Sequence, residues 1–292
     1  MKNLIILNPA SFSGKTVEKK EELEELLKKL GLDYKIHISR STDDITQTVR
    51  SNIDNFTNFI SFGGDGTLHY IVNVLVATDK NVGCIPMGSG NDIARNMKIP
   101  QNMEECCRIL KNPRIKRVDL GLINSKYYYL AVSGSGFDSV VNDLANNTKF
   151  PLKGPAKYKY AVYKTLITFR SKKFSFKYDG YQRNLDAMML AVGNMSTYGG
   201  GMKIAPQADP TDGILDLCII KRMSKIHFIK TFPSVYEGTH TNDPFVEYLK
   251  VKSIEVDSEY NFSVFADGEY ICKLPAKFEV LPKTLNFLTA NT

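Results

Sequence analysis

Residues 58–75 read NFISFGGDGTLHYIVNVL, and this stretch decides the fold. Its first five residues are a short, largely apolar run typical of a buried strand, and the glycine-rich segment 63–67 follows at once. Apolar side chains then recur at the spacing of one helix face, at Leu68, Ile71, Val72 and Leu75. A strand, a tight glycine loop and a helix in this order are typical of an α/β unit with its ligand at the strand end.

The same unit occurs on both sides of this stretch. Upstream, the apolar run NLIIL (3–7) leads into NPASFSGK (8–15) and then a leucine-striped helix. Downstream, VGCIPM (82–87) leads into GSGNDIARNM (88–97). Repeated strand, loop and helix units predict a doubly wound α/β nucleotide-binding domain over residues 1–121.

Beyond residue 121 the pattern changes to alternating apolar and polar residues in short runs, which is typical of antiparallel strands. We therefore expect a second, mainly antiparallel β-sandwich domain over 122–282, with 283–292 returning to the first domain and a cleft between the two. A basic, aromatic stretch, 153–173, has a helical pattern.

Composition limits the possible functions. The 292-residue chain carries a net charge of +7, and its apolar runs are too short to cross a bilayer. Its five cysteines show no metal-binding spacing, which favours a reducing, cytoplasmic location. The positive charge suits an anionic partner such as a nucleotide or a lipid surface, and the absence of nucleic-acid motifs argues against nucleic acid.

Three glycine loops, at 8–14, 63–67 and 86–92, each follow a predicted strand. Glycines let backbone N–H groups close on phosphate oxygens, and a helix N-terminus adds a favourable dipole. Asp65 cannot hold an anion directly, so it would act through Mg²⁺ or by orienting other groups. The structural alternative for 63–67 is a tight turn with a capping aspartate.

These motifs resemble the diacylglycerol kinase catalytic family, which includes bacterial lipid kinases and the sphingosine and ceramide kinases. The resemblance covers essentially the whole chain. It rests on NPASFSGK (8–15), FGGDGTL (62–68), PMGSGNDIAR (86–95), VDLG (118–121), GSGFD (134–138), GNMSTYGGGMKIAP (193–206), DPTDGILDL (209–217) and ADGEY (266–270). It implies a kinase that transfers the γ-phosphoryl group of ATP to a lipid hydroxyl, with diacylglycerol the leading candidate.

The resemblance also implies site residues. Glu269 matches the proposed catalytic base, with Asp267 beside it and Asp65 also among the catalytic side chains. Asp65, Asp92 and Asp119 match an acidic trio that acts with Mg²⁺ near the phosphates. The Asp212 carboxylate, with the backbone carbonyls of Asp209 and Ile214, matches a structural Mg²⁺ site. The positions that match ATP contacts are Asn8, Pro9, Ala10, Ser11, Ser13, Gly14, Ser39, Gly63, Gly64, Asp65, Gly66, Thr67, Leu68, Gly88, Ser89 and Asn91.

Two features qualify the match. Bacterial relatives usually continue Asn-Glu after GGDGTL, whereas this chain has His69 and Tyr70, and serine replaces a common threonine at Ser39 and Ser89. By sequence alone, the segment around Glu269 is also what a hairpin with an Asp-Gly turn looks like. A hairpin tip that projects into the cleft would satisfy both interpretations.

Several alternatives stay open at this point. The acceptor could be a sphingoid base, ceramide, polyprenol or another lipid alcohol, and NAD kinase also carries GGDGT. A protein that binds nucleotide without catalysis is a further possibility. A lipid kinase would dock transiently on the inner membrane face, where cations beside aromatic rings in 153–173 suit an anionic lipid interface. A homodimer is also possible.

Overall fold

The computed structural model describes residues 2–14, 16–147 and 155–291. The side chains of Phe12, Ser13, Asn146, Asn147 and residues 155–159 lie outside that description. Part of the predicted basic stretch therefore also lies outside the described residues, namely all of Lys153 and the side chains of Lys157, Tyr158 and Lys159.

The first domain is built on a parallel sheet. Its strands are β1 (Lys2–Leu7), β2 (Asp33–Ile38), β3 (Asn58–Gly63) and β4 (Asn81–Pro86). Its helices are α1 (Lys20–Lys29), α2 (Thr42–Ser51), α3 (Asp65–Leu75), α4 (Asp92–Asn96) and α5 (Met103–Lys111), with a 3₁₀ turn over Ser11–Gly14.

The strands lie in the order β2-β1-β3-β4, all parallel. Because β2 and β3 flank β1 on opposite sides, the connections leave β1 and β3 in opposite directions. A crevice opens at such a switch point beyond the carboxyl ends of the strands. The loops after β1 and β3 are the first two predicted glycine loops, so the topology brings them together.

The second domain is antiparallel, as the alternating pattern predicts. Its strands are β5 (Arg114–Ile123), β6 (Tyr127–Tyr129), β7 (Val132–Gly136), β8 (Lys172–Tyr178), β9 (Tyr181–Gly193), β10 (Leu215–Lys221), β11 (Val246–Val251), β12 (Ser253–Ser258), β13 (Ser263–Ala266), β14 (Glu269–Lys273) and β15 (Ala276–Thr289). Its helices are α6 (Phe137–Asn147), α7 (Pro155–Thr168), α8 (Lys225–Thr231) and α9 (Ser234–Glu237), and a 3₁₀ turn spans Thr239–Asn242. The predicted fold class is confirmed.

Strand β15 belongs to both domains. Its first residues pair antiparallel with β12, and its last residues lie parallel to β4 at the edge of the first sheet. Along most of its length it also pairs antiparallel with β5. The predicted division after residue 121 falls inside β5, which continues to Ile123, and the domain boundaries stay a prediction.

A ladder of buried asparagines fixes the register of the parallel sheet. The Asn58 amide nitrogen donates to Asn3 Oδ1 at 2.9 Å, and the Asn81 amide nitrogen donates to Asn58 Oδ1 at 2.9 Å. All three side chains are buried, and they occupy facing positions on β1, β3 and β4. Since a one-residue slip would separate these partners, the ladder selects one alignment of the strands.

We expect Asn58→Ala to lower the free energy of unfolding by about 2–5 kcal/mol. The change removes the central member of the ladder and its hydrogen bonds to the buried side chains of Asn3 and Asn81, and the loss of such a buried partner costs about 1–3 kcal/mol. Denaturant unfolding at neutral pH measures the effect. The exposed Asn55→Ala is the control and should stay within about 0.5 kcal/mol of wild type. Equal stability of the two variants would contradict the role given to the ladder.

Candidate active site

The first and second glycine loops touch at the switch point. The Asn8 amide nitrogen donates to the Thr67 hydroxyl at 2.9 Å, and the Ala10 N–H is bonded to Asn8 Oδ1 at 3.0 Å. Gly63 packs so closely here that an added β-carbon would come within 2.6 Å of Thr67 Oγ1 and 3.2 Å of Ser11 Oγ. The residues that follow β1 and β3 therefore form one continuous wall.

The third loop lies against the second at two glycines. A β-carbon on Gly88 would stand 2.6 Å from the Cα atom of Gly64, so a side chain at Gly88 would force these backbones apart. Asn91 holds the third loop closed from within, because its side chain both accepts from the Gly88 N–H and donates to the Gly88 carbonyl.

The Asp65 carboxylate joins the second loop to the start of α4. It accepts the backbone N–H groups of Asp92 at 2.9 Å and Ile93 at 3.1 Å. Burial raises the pKa of Asp65 to about 6, and the two amide hydrogen bonds oppose that rise. Asp65 thus orients other groups, as the sequence suggested, and it also caps a helix, as the structural alternative proposed.

The N-terminus of α3 is available to an anion. The helix begins after Gly64, which provides no side-chain cap, so first-turn N–H groups lack a side-chain acceptor. The helix is 11 residues long, and its dipole favours negative charge at this end. This end of α3 lies within the wall formed by the three loops, which is the arrangement that a phosphate requires.

A hairpin from the second domain reaches the second loop. Strands β13 and β14 are joined by Asp267 and Gly268, both with positive φ, as an Asp-Gly turn requires. The predicted hairpin is therefore present. Its side chain Glu269 lies against Gly66, where an added β-carbon would come within 2.5 Å of Glu269 Oε1. The candidate base and the candidate phosphate loop are thus in contact.

Tyr70 fixes the orientation of the Glu269 carboxylate. Its hydroxyl donates to Glu269 Oε2 at 2.9 Å, while the other oxygen faces Gly66. Burial, with the neighbouring Glu269 charge, raises the pKa of Tyr70 to about 12, so the phenol remains a donor.

Asp267 is enclosed behind the turn. Its carboxylate accepts the N–H groups of Leu130 and Ala131 at 2.9 and 2.8 Å and lies 3.1 Å from His69 Nδ1. The Asp267 side chain is fully buried. Through these contacts Asp267 anchors the hairpin, and its predicted place among the catalytic side chains stays a prediction.

Asp92 connects the third loop to the second domain. Its carboxylate accepts the N–H groups of Gly200 and Gly201 at 2.7 and 2.8 Å and pairs with Arg95 at 2.6 Å. Asp65 is close by, because a β-carbon on Gly90 would meet Oδ2 of Asp92 and of Asp65 at 3.2 and 3.3 Å. Two acids of the predicted trio are therefore neighbours.

The third member of the trio lies in a different network. The fully buried Asp119 carboxylate accepts the N–H groups of Gly213 at 2.7 Å and Lys283 at 2.6 Å. It faces the break in register between Leu281 and Leu285, where β15 leaves amides free of the ladder with β5. Across the described part of the chain, no three Asp, Glu, His or Cys side chains form a group able to hold a metal ion. The acidic trio stays a prediction, with Asp65 and Asp92 as neighbours and Asp119 in a separate network.

At the predicted structural Mg²⁺ site, a lysine side chain of the protein lies beside the acidic groups. Lys250 Nζ lies 3.5 Å from Asp212 Oδ2 and 3.6 Å from Oδ1 of the buried Asp216. Asp209 bonds to its neighbours in the loop: its carboxylate accepts hydrogen bonds from Thr211, and its backbone carbonyl accepts one from the Asp212 N–H. The predicted partner Ile214 donates its N–H to Asp212 Oδ1 at 3.0 Å. Two acids facing one ammonium fit a cation site.

The other predicted ATP positions fall into two groups: residues that line the glycine loops and buried residues that hold those loops in place. Pro9, Ser11 and Gly14 line the first loop, and Ser89 is exposed at the tip of the third. Ser39 and Leu68 are buried, and the Ser39 hydroxyl donates to the Leu7 carbonyl at 3.2 Å, so they support the loops. Residue 13 belongs to the 3₁₀ turn of the first loop, and its side chain is outside the description.

Several site contacts were not foreseen from the sequence. The roles of Arg95, Gly200 and Gly201 in holding the third loop follow only from the fold, as does that of Lys250. The departures at 69 and 70 were recognised, but their contacts with the Asp267 hairpin were not. The one indication in the sequence was their position on α3, directly after the second glycine loop.

Comparison with known proteins identifies the class to which this site belongs. Residues 2–123 match the family described as the diacylglycerol kinase catalytic domain, and residues 131–289 match the YegS C-terminal NAD kinase beta sandwich-like domain. The chain is 31% identical to a diacylglycerol kinase of Mycobacterium tuberculosis over 97% of this chain and 93% of the relative. It is 29% identical to a diacylglycerol kinase of Staphylococcus saprophyticus, over 98% of this chain and 95% of the relative.

Solved structures show the same fold. A crystal structure of a diacylglycerol kinase from Bacillus anthracis covers 99% of this chain, with 97% of its own chain matched, a TM-score of 0.77 and 22% identity. The chain belongs to the diacylglycerol kinase family and is a lipid kinase, as the sequence motifs predicted. Membership of a kinase family implies ATP as the phosphoryl donor.

In the stretches of chain that the structure covers, each helix is too short or too polar to traverse a bilayer.

We expect the stability of the protein, without nucleotide or divalent ion, to depend on pH through Asp65. Its pKa of about 6 in the fold exceeds the ordinary value of 3.8, so its contribution is complete below about pH 4 and is lost as the pH rises through 6. Relative to Asp65→Asn, the wild type should lose up to about 3 kcal/mol across this window. Denaturant unfolding between pH 4 and 7 measures the difference, with the exposed Asp54→Asn as control. A constant difference between wild type and Asp65→Asn would show that burial does not perturb this carboxyl.

Proposed function

We propose that this lipid kinase transfers the γ-phosphoryl group of ATP to the hydroxyl of diacylglycerol and so forms phosphatidic acid. The observation that carries the proposal is the contact between Glu269 and Gly66. It unites a carboxylate able to accept a proton with a loop able to hold a phosphate. The family names of the relatives support the choice of acceptor.

The three glycine loops would bind the nucleotide through its phosphates. First-turn N–H groups of α3 supply hydrogen-bond donors and the positive end of a helix dipole. The Arg95 guanidinium, which pairs with Asp92, also donates to the Gly90 carbonyl and so holds the third loop in place. Positioning and charge neutralisation of this kind provide most of the rate in phosphoryl transfer.

The residues also fit Mg²⁺. Asp65 and Asp92 lie side by side, and Mg²⁺ in kinases is bound by one or two carboxylates together with substrate phosphates and water. These two acids would hold the ion, which when bound offsets negative charge on the phosphates. Asp212, with the carbonyls of Asp209 and Ile214, would hold a second ion in a structural role, near the site where Lys250 now lies.

Glu269 would act as the general base. The lipid hydroxyl oxygen attacks the γ-phosphorus, its proton passes to the Glu269 carboxylate, and the bond from the γ-phosphorus to the bridging oxygen breaks to release ADP. Such a base contributes typically 10²–10⁴-fold. Tyr70 and the enclosed Asp267 hold the carboxylate at the loop.

The acceptor is tested by a labelled-ATP assay on mixed micelles that contain diacylglycerol, a sphingoid base, ceramide or a polyprenol, with NAD in solution as a further acceptor. Magnesium-dependent label in phosphatidic acid supports the proposal. Label in another lipid would keep the reaction and change the acceptor, and label in NAD would replace the lipid acceptor. Absence of transfer to every acceptor would favour a protein that binds nucleotide without catalysis.

We expect Glu269→Gln to lower kcat by at least about 100-fold while nucleotide affinity changes less than about twofold, because the amide cannot accept the proton but keeps the size of the side chain. Micelle assays give kcat, and equilibrium binding of ATP gives the affinity. Glu255→Gln, on exposed β12, is the matched control and should behave as wild type. Wild-type turnover in Glu269→Gln would remove Glu269 from its role.

We expect Tyr70→Phe to lower kcat by about tenfold and to leave the KM for ATP within twofold, because the phenol orients the base without lining the loops. Tyr181→Phe, at the exposed start of β9, is the control. Steady-state kinetics with varied ATP separate the two constants. A raised KM with unchanged kcat would instead place Tyr70 in nucleotide binding.

A further inference from the structure

Two helices of the second domain expose large apolar side chains on one face. On α7, Tyr163 and Ile167 are 68% and 71% exposed, and on α8, Ile226 and Ile229 are 69% and 54% exposed. Each pair is spaced three or four residues apart, which places both members on the same side of the helix. The opposite sides are buried through Ala161, Leu166 and Phe228. We call these four exposed residues the α7–α8 face.

The two exposed pairs belong to one surface. The Lys225 ammonium, at the start of α8, donates to the carbonyl of Ile167 near the end of α7. Beneath them, the Phe137 ring lies 5.6 Å from the Phe169 ring and 5.1 Å from the Phe228 ring, measured between centroids. Single exposed apolar residues are ordinary, whereas a contiguous cluster marks an interaction surface.

The surroundings of this face are positively charged. Neither 160–178 nor 217–236 contains an Asp or Glu, and Lys164, Lys225 and Lys230 are exposed around the four apolar residues. Within the ranges that the structure describes, these three lysines form no ion pair with an acid. Acids from elsewhere in the chain that pair with these segments are Glu255 with Lys177 at 3.3 Å, Asp186 with Arg222 at 3.6 Å and Asp243 with His227 at 2.6 Å.

We propose that the α7–α8 face docks the protein on an anionic lipid surface. The two isoleucine-bearing helices would lie along the interface with their apolar side chains among the acyl chains, and the lysines would contact phosphate headgroups. The inference rests on the proposed function, since a kinase whose acceptor lies in a bilayer must approach that bilayer. It adds α8 to the surface that the basic stretch alone suggested.

Charge favours a lipid surface over a second copy of the chain. A twofold contact through this face would bring the three lysines opposite the same lysines of the partner, where like charges repel. An anionic bilayer instead supplies the opposite charge over a wide area, and nearby lysines each add to the attraction.

A tryptophan probe tests the proposal directly. The chain contains no tryptophan, so Ile226→Trp introduces a single fluorophore on the α7–α8 face. With vesicles of phosphatidylglycerol and phosphatidylcholine, without ATP, we expect its emission to shift to shorter wavelength and to be quenched by brominated acyl chains. Vesicles of phosphatidylcholine alone should give little change.

Ile115→Trp is the matched control. Ile115 is 49% exposed on β5 and is flanked by Arg114 and Lys116, so it shares the positive charge but not the apolar cluster. Its emission should not change. Equal shifts at both positions, or none at Ile226→Trp, would overturn the proposal. A dimer seen by sedimentation without lipid would also overturn the proposal if the substitution Ile229→Asp on this face dissociated it.

The docking surface and the kinase activity are separable. We expect Ile226→Ser combined with Ile229→Ser to weaken vesicle binding by at least about tenfold, as judged by co-sedimentation. With a short-chain acceptor below its critical micelle concentration, the kcat of this variant should equal that of the wild type. With the acceptor embedded in vesicles, its activity should fall. The unfolding midpoint of the variant shows whether it is folded: an unchanged midpoint means that lost lipid binding comes from the surface and not from unfolding. Lipid binding intact in this variant would refute the surface, and absence of turnover in wild type would refute only the proposed function.

Discussion

The Asp65 carboxylate, bonded to the first two amides of α4, is the interaction on which the site depends. It ties the loop after β3 to the loop after β4, and Asp92, at the start of α4, in turn holds Gly200 and Gly201 of the second domain. One acid therefore spans two loops of one domain, and its neighbour spans the two domains. The cost of burying Asp65 is visible in its raised pKa, and a cation beside it would relieve that cost.

Much of the fold follows from local pattern. The three strand-loop-helix units and the Asp-Gly hairpin were predicted because each rests on interactions between residues close in sequence. The confirmed family resemblance had the same basis, since its motifs are the loops themselves. The contact of Glu269 with Gly66 could be anticipated only through that resemblance, because the two residues are brought together by the fold.

The features that could not be predicted from the sequence depend on contacts between residues far apart in the chain. The contacts of Asp119 are one example, because the break in register between Leu281 and Leu285 turns the Lys283 amide toward its carboxylate. His69 and Tyr70 looked like departures from a pattern, and the fold brings both into direct contact with the hairpin. The α7–α8 face unites segments roughly sixty residues apart, which packing around Phe137 and the bond from Lys225 to the Ile167 carbonyl bring together.

Strand β15 has a consequence for how the chain is made. Asn286 of this strand bonds the carbonyl of Asp79, which lies 207 positions earlier, and the end of β15 covers the edge of β4. During synthesis on the ribosome, β4 can pair with β3 on one side, but its other edge stays uncovered until β15 has emerged. An exposed strand edge invites pairing with other chains. The nascent nucleotide domain is thus a natural client for chaperones until its last strand arrives.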